Sequence, residues 1–588
     1  MDQSLLGKYW QAINTDEEVI QELSRGLKIN DFLARILSQR IKAPEFGIDF
    51  LNPKIKNLIP DPFHLLGMKQ GVDRVIQAIN KKERICIFAD YDVDGATSSA
   101  LLKNILSEFN LEIDIYVPDR IIEGYGPNKV AIQKIKDSGI NLIITVDCGS
   151  VAFEALEHAA LLGLDVIVID HHLSMDILPK AVAVINPNRI DQESDCKNLA
   201  AVGVAFLFVV ALISELKKNN FFSKNNVIEP DLLSQLDIVA LGTVCDVMQL
   251  TGLNRAFVSQ GLKVAKLRRN VGYRALCDVA EIGEAINSYH LGFILGPRIN
   301  AAGRVGNSHL GASLLSTKSD IEALNIAKEL DKHNNERKVI ELKVLEEAKK
   351  IAGKQQDQAM LFIAGENWHP GVIGIVAGRL KEQYNKPVAV LSIEGEEAKA
   401  SCRSVKGVDF GTKIVIAKEQ GLLIAGGGHS MAAGFTVHKS KLGALQQFLN
   451  NEITKDLVVS KEHLTEFYDA DITTTAVNLD LMTEIAKLEP YGIGNPAPIF
   501  KFSSLYVLKA DIVGLKHIKI VFAPARTTYG SKPLNAIAFN SVGTPLGEAI
   551  MSARPHNFSV YGSLKINEWQ DRKTVQLQLK DLIIEKAC

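Results

Sequence analysis

Three apolar runs in the first third of the chain end abruptly in ionisable groups. RICIFA (84–89) runs into Asp90-Tyr91-Asp92-Val93-Asp94-Gly95, NLIITV (141–146) into Asp147, and DVIVI (165–169) into Asp170-His171-His172. A further acid, Asp246, stands near the end of the apolar run QLDIVALGTVCDV. Taken singly, a DxD reads as a solvated loop, a His-His pair as surface, and an acid after a strand as the N-cap of the next helix. Gathered on one edge, the same carboxylates would repel one another unless neutralised, and divalent cations do that. Carboxylate oxygen mixed with imidazole suits Mn²⁺ or Mg²⁺ over a thiolate-seeking metal. Two such ions roughly 3.5–4 Å apart activate a water and stabilise both oxygens of an in-line phosphoryl displacement. The chemistry by itself points to a di-metal phosphoesterase.

The elements around these acids explain how they could meet. From about residue 70, strand-like runs alternate with segments of helical period, the pattern of a parallel sheet covered on both faces. Parallel strands place their carboxyl ends on one edge, where ligands collect in open α/β sheets. Residues 195–300 read mostly as helix. The stretch 319–352 has interleaved charges, a sparse apolar stripe and no proline, which suits a long exposed helix joining two lobes or two ordinary surface helices. A second mixed α/β unit follows, with strands near AMLFIAG and PVAVLSI and a glycine cluster AGGGHSMAAGF (425–435). EPYGIGNPAPIF (489–500) reads as a linker. Beyond it, five strand-like segments with a helical insertion near 544–552 suit a small OB-type barrel. Residues 1–65 read as short helical or loop pieces packed on the sheet domain that comes after them.

Seven motifs in order, DYDVDGATSSALL, PDRIIEGYGPN, VDCGS, DHH, GTVCDVMQL, GPRINAAGRVGN and AGGGHSMAAGF, resemble the DHH phosphoesterase superfamily and, within it, the RecJ single-strand-specific exonucleases. The resemblance covers nearly the whole chain. It implies an N-terminal extension (1–65), a parallel-sheet DHH catalytic domain (66–318), a connecting helix (319–352), a mixed α/β DHHA1 domain (353–458) and an OB-type β-barrel (459–588). It implies metal ligation by Asp92, Asp94, Asp147, His171 and Asp246, with Asp147 shared by two ions and His172 facing the scissile phosphate. Many superfamily members carry a His where Phe88 stands. Asp90 either substitutes for it catalytically or orients its neighbours. Asp170 is expected to orient the histidine pair without touching metal.

Arg298, Asn300 and Arg304 offer phosphate contacts among small residues, since arginine forks match phosphate oxygens; the alternative is a glycine-rich turn with surface arginines. GGGH (426–429) is either a plain turn or an anion cradle near a helix start, and the resemblance places His429 near the cleft. Arg120 and the pair Ser401/Arg403 match positions the family uses for a 5′-terminal phosphate, though each also reads as ordinary surface. Tyr91 and Tyr125 are candidates for base stacking. KVAKLRRNVGYR (263–274) offers backbone contacts or a solvated helical face.

The expected activity is 5′→3′ hydrolysis of single-stranded DNA to 5′-mononucleotides with two Mn²⁺ or Mg²⁺ ions, in repair and recombination. A phosphodiesterase of short oligonucleotides or cyclic dinucleotides is the competing enzyme, and an inactive single-strand-binding scaffold the competing non-enzyme. The resemblance implies a single-strand-binding protein and a helicase as partners, and a monomer is expected. Composition sets the bounds: 588 residues require several domains, 47% are hydrophobic, and a net charge of −2 gives no general basic field toward polyanions. Seven scattered cysteines without CxxC spacing suit a reducing compartment. With no long apolar span and no leader-like N-terminus, the expectation is a cytoplasmic protein free of membrane.

Overall fold

The computed structural model describes residues 2–119, 123–283, 285–459, 462–525, 532–552, 556–569 and 572–585. The chain forms two compact units, one made of Glu45–Arg337 with Leu488–Pro496, the other of the remaining segments.

The first unit is built on five parallel strands in the order Ile113–Tyr116, Ile85–Ala89, Leu142–Val146, Asp165–Ile169, Ala183–Ile185. The strands Ile85–Ala89, Leu142–Val146 and Asp165–Ile169 are apolar but for Thr145 and Asp165, because both faces are covered. Ile85, Ile87 and Ala89 enter one core with the helices Met68–Lys81, Val93–Leu106 and Ala201–Lys218. Cys86 and Phe88 enter another with Lys129–Asp137 and Phe153–Leu161. Phe88 is therefore a core residue, stacked 5.3 Å from Tyr116. The strand order reverses direction between Ile85–Ala89 and Leu142–Val146. That leaves a crevice beyond their carboxyl ends, and both strands end there in acids.

In the second unit, a mixed sheet runs in the order Ala425–His429, Ala432–His438, Glu397–Arg403, Val388–Glu394, Leu361–Glu366. The strands Phe500–Val513, His517–Pro524, Leu534–Ala538, Arg572–Ile584 and Phe558–Trp569 pair in succession, and pairing of the last with the first closes a five-stranded ring. Pro545–Met551 is the inserted helix. Asp320–Ala352 is one helix of 33 residues, and the boundary between the units falls within it. Among the described residues no helix is long and apolar enough to cross a membrane.

Three segments differ from the sequence reading. The glycine cluster is no loop: Ala425–His429 pairs antiparallel with Ala432–His438, because small residues fit a hairpin flanked by Phe410–Glu419. The chain up to Pro44 packs with the second unit rather than on the sheet domain next to it in sequence. Tyr9–Ala12 is a strand, parallel to Thr465–Tyr468, and Trp10 stacks 4.5 Å from Tyr561 while its Nε1 donates to Asp581 Oδ2 at 3.0 Å. A partner so remote leaves no local signature.

The third difference is the linker, whose Leu488–Pro496 segment belongs to the first unit. Arg255 is buried with its guanidinium 3.8 Å over the Phe50 ring, and it donates to the carbonyls of Phe50, Leu488, Glu489 and Pro490 at 2.7–3.2 Å. Leu250 N donates to Ile493 O, Ser288 Oγ to Tyr491 O, and the buried Asn495 amide to Leu488 O and Pro490 O. A charged donor lost from buried carbonyls costs more than a neutral one. Arg255→Met is expected to lower unfolding free energy by roughly 3 kcal/mol or more and to open 488–496 to limited proteolysis. A urea midpoint and digestion pattern equal to the parent's would mean that something else holds the segment.

Candidate metal centre

At the crevice, the first strand ends at Asp90 and the chain turns directly into the helix Val93–Leu106. Asp92 caps that helix: its Oδ1 accepts from Asp94 N at 2.8 Å and Gly95 N at 3.2 Å. The turn is so tight that a Cβ on residue 95 would lie 2.2 Å from Asp90 O, so only glycine fits. After the neighbouring strand Asp147 adopts φ +59°, the left-handed region. That conformation costs a non-glycine residue roughly 1 kcal/mol or more. It is held by Asp147 N donating to Ile169 O at 3.1 Å and by Tyr125 Oη donating to Asp147 O at 3.0 Å.

The strand Asp165–Ile169 delivers the histidines, and Asp170 arranges them. This buried carboxylate accepts from the backbone N–H of His171 and His172 and from Ser150 N, at 2.8–3.2 Å. Its Oδ1 also lies 2.8 Å from His172 Nδ1. Burial alone would raise the Asp170 pKa, yet the bonds from His172 and Ser150 hold it below the ordinary carboxylate range. Two residues the sequence reading passed over complete the arrangement. Asn186 donates to Ser150 Oγ and His172 O, both at 2.8 Å, and Asn188 donates to His171 O at 2.6 Å. The signal available for them was NPN directly after a buried strand, a turn sequence with two side-chain amides.

Asp246 follows the helix Leu236–Cys245, its backbone N–H still bonded to Gly242 O. His171 Nε2 is the point of convergence: it lies 3.3 Å from Asp147 Oδ1, 3.5 Å from Asp246 Oδ2 and 3.9 Å from Asp94 Oδ2. Three sets of side chains have atoms close enough to share a cation: Asp147 with His171 and His172; Asp94 with His171 and Asp246; Asp90 with Asp92 and Asp147. Asp94 has a further anchor, since its two oxygens accept from Ala201 N at 2.6 Å and Val202 N at 2.9 Å, at the start of a buried helix. An aspartate aimed at a helix N-terminus is favoured by the N–H groups exposed there.

The electrostatics fit a cation. Burial, then the neighbouring acids, raise Asp94 to about 7 and Asp246 to about 9, and push Asp147 well above the ordinary range. Burial and the adjacent His172 hold His171 down to about 4, so its ring is neutral and its lone pair available. Burial opposes a charge on His172, but the Asp170 contact outweighs it and raises that pKa. Asp147 Oδ1 and Asp246 Oδ2 are buried oxygens that receive no hydrogen bond. Cys148 and Cys245 are kept as thiols by burial and by nearby acids, which leaves a donor set of oxygen and imidazole nitrogen, suited to Mn²⁺ or Mg²⁺.

The remaining expected residues divide into two groups. Asn300 lies at the acid-bearing loop, where its Oδ1 accepts from Val93 N at 3.2 Å. Gly303 brings the same helix so near that a Cβ there would sit 2.9 Å from Tyr91 O. Arg298 is engaged with Asp331 Oδ1 at 2.9 Å and Ile294 O at 2.7 Å. Arg304 is half-buried in the last turn of Gly296–Val305. Tyr125 sits edge-on to His172, ring centroids 5.9 Å apart. In the basic run 263–274, Arg268 and Arg274 pair with Asp278 and Asp320. Ser401, Arg403 and His429 belong to the other unit. Ser401 and Arg403 share one face of a strand, Arg403 Nη1 lying 3.2 Å from Ser401 Oγ. A Cβ on Gly374, in the helix Pro370–Tyr384, would be 2.9 Å from Ser401 Oγ. His429 ends an exposed strand, and Arg120 lies outside the described residues.

Comparison with known proteins finds matches along the chain. The model of the DHH family, N-terminal domain, matches residues 84–243, the DHHA1 domain 356–455 and the RecJ OB domain 468–581. The chain is 33% identical over 587 residues to the single-stranded-DNA-specific exonuclease RecJ of Bacillus subtilis (strain 168), covering 98% of this chain and 71% of that protein. It is 33% identical over 549 residues to that of Escherichia coli (strain K12), covering 90% and 92%. The fold matches the crystal structure of RecJ in complex with Mn²⁺ from Thermus thermophilus with a TM-score of 0.80, at 26% identity, over 98% of this chain and 80% of that one.

The raised carboxylates carry a sign. Below their folded-state pKa values the folded protein keeps protons that the unfolded chain has released, so stability falls as pH rises through about 7 and about 9. His171, depressed below its ordinary 6.5, acts oppositely only below that value. The melting temperature of metal-free protein is therefore expected to fall above about pH 6.5, and Mn²⁺ to restore more of it the higher the pH. Asp246→Asn should flatten the decline and shrink the Mn²⁺ increment. A metal-free melting temperature that climbs from neutral to alkaline pH would contradict this account.

Proposed function

The chain belongs to the RecJ family of single-stranded-DNA-specific exonucleases, and from that footing we propose that it removes 5′-mononucleotides stepwise from the 5′ end of single-stranded DNA. The observation that carries the reading is the convergence of Asp94, Asp147 and Asp246 on His171 Nε2 at 3.3–3.9 Å. In this reading Asp92, Asp94, Asp147, His171 and Asp246 hold two divalent cations, Mn²⁺ or Mg²⁺. Asp147, which belongs to two of the three ligand sets, is the shared ligand. When bound, such ions supply Lewis-acid charge and an activated water for in-line displacement at phosphorus.

The chain's own residues do the rest. Asp170 fixes His172 through Nδ1 and favours its protonated form, leaving a side chain 48% exposed to donate to a phosphate oxygen. Asp90 lies with Asp92 and Asp147 and is assigned to the same edge, as a catalytic group or as one that orients its neighbours. Asn300 holds the acid-bearing loop, and Arg298 and Arg304 on its helix are assigned to backbone phosphates. Ser401, Arg403 and Arg120 are assigned to the terminal phosphate, and His429 to substrate phosphate binding. Arg403 is held by the Ser401 contact and by its own strand, which suits a fork for phosphate oxygens.

The division at 66–318, 319–352, 353–458 and 459–588 is part of this proposal, supported by the family matches that fall within three of those spans. So are a role in repair and recombination, a monomeric state, a cytoplasmic setting, and partnership with a single-strand-binding protein and a helicase.

With Mn²⁺ and 5′-phosphorylated substrates, single strands should shorten one nucleotide at a time from the 5′ end while duplexes persist. Asp147→Ala should slow this at least about a thousandfold. Arg403→Ala should raise KM for 5′-phosphorylated strands by about tenfold and leave 5′-hydroxyl strands unaffected. Cleavage of dinucleotides with survival of long strands would replace the exonuclease by a short-oligonucleotide phosphodiesterase, and binding without cleavage by a scaffold.

A further inference from the structure

Tyr289 and Phe293 stand apart from every function assigned above. Tyr289 immediately precedes, and Phe293 lies within, a turn of π-helix, His290–Leu295, a winding that recurs at functional sites. His290, Leu291 and Leu295 from this turn are buried, Leu291 and Leu295 in a core with Ile299. Tyr289 and Phe293 face the other way, 59% and 72% exposed. Their rings lie nearly parallel, 24° apart with centroids at 5.2 Å. A preformed pair of exposed rings is unusual in a chain with 6% aromatic residues, and exposed ring area is unfavourable in water unless something covers it.

The place of this pair argues for what covers it. Cys245 Sγ donates to Leu291 O at 3.3 Å, and a Cβ on Gly296 would lie 2.4 Å from the same sulfur. Cys245 immediately precedes Asp246, so the π-turn is packed against the last turn of the helix that presents this acid. Beyond it, the helix Gly296–Val305 buttresses the Asp92–Asp94 loop through Asn300 and Gly303. The pair thus rides on the backbone that links two sides of the metal centre. Val247, next to Asp246, adds a third exposed apolar group: it is 61% exposed and held at φ +60°, a conformation that β-branched residues avoid. From Ala285 to Ser319 the chain carries no Asp or Glu, and of its cations there Arg298 is paired with Asp331 and Lys318 with Glu108, so what this stretch offers a ligand beside the acids is chiefly ring surface.

We propose that Tyr289 and Phe293 form a base-stacking ledge for the single strand as it reaches the metal centre, with Val247 as its apolar border. The proposal rests on the single-strand exonuclease reading and adds to it residues that grip bases rather than phosphates. Stacking is tolerant of sequence because every base has a π face, so the ledge grips a strand of any composition. In a duplex the base faces are already stacked on their neighbours, and the ledge has nothing to hold.

The test uses the full chain, wild type, Tyr289→Ala/Phe293→Ala and Tyr289→Trp/Phe293→Trp, on 5′-phosphorylated single strands in which one abasic residue is moved along the sequence. Both side chains lie on the surface, so the truncations leave the fold intact. The double alanine variant is expected to raise KM about tenfold with kcat changed less than about twofold, and the tryptophan variant to keep the parental KM. In the wild type one abasic position should incur the same loss, and the alanine variant should be indifferent to that position. In EDTA, where cleavage is off, 2-aminopurine at that position should be quenched on binding by the wild type and not by the alanine variant. An unchanged KM, an abasic penalty that persists in the variant, or quenching that survives it would overturn the ledge. Failure of the nuclease reading shows separately, as absence of cleavage by the wild type, and the EDTA measurement still decides whether the rings stack on bases.

Discussion

The controlling constraint in this protein is the repulsion among carboxylates crowded at one edge of a buried sheet. Asp94 and Asp147 are almost wholly enclosed and Asp246 lies close by; burial raises all three pKa values, Asp92 adds to that of Asp94, and Asp94 and Asp92 add to those of Asp147 and Asp246. Such a cluster opposes folding, and three acids of this edge are gripped in a way that offsets the cost. The grips are backbone N–H groups: those of Asp94 and Gly95 on Asp92, those of Ala201 and Val202 on Asp94, and those of Ser150, His171 and His172 on Asp170. Rigid donors at helix starts and strand ends hold negative charge with little reorganisation. The architecture of the first unit follows from that need, since only strand and helix termini bring so many such donors to one place.

The division of labour within Asp170-His171-His172 has the same origin. One acid spends its oxygens on backbone N–H groups and one ring, and this frees the two rings for different tasks. His171 is neutral and turned toward three carboxylates. His172 is bonded to an acid that favours its charge. Adjacent residues with opposite protonation preferences let one short segment serve both a cation and an anion.

Much of this was readable in the sequence, for physical reasons. The strands are apolar on both faces, so their ends stand out, and acids directly after them can only lie on the edge. The 33-residue helix follows from charge interleaved with a thin apolar stripe. What escaped reading depends on partners far away along the chain. Tyr9–Ala12 becomes a strand only because Thr465–Tyr468 is there to pair with it. The glycine cluster looked like a loop because glycine signals turns, whereas here neighbouring strands impose extension. Asn186 and Asn188 resembled turn filler until their amides were seen on the histidine carbonyls. Arg255 lay in an ordinary helix, and nothing local indicated that its four carbonyl partners include three from residues 488–490.

The docked segment Leu488–Pro496 also bears on ancestry. A strand ring following a Gly/Pro-rich connector has the look of an appendage that gene fusion could add or shed. The chain instead returns to the catalytic unit before entering the ring, and lays nine residues against Arg255, Leu250 and Ser288. A break anywhere upstream of residue 488 would remove a piece of the catalytic unit itself. A cut between Pro496 and Phe500 is no cleaner, because Ala470–Asp471 pairs with Phe500–Lys501 and Ile499 N donates to Asp469 Oδ2, so neither side of the docked segment offers a seam that leaves this pairing whole.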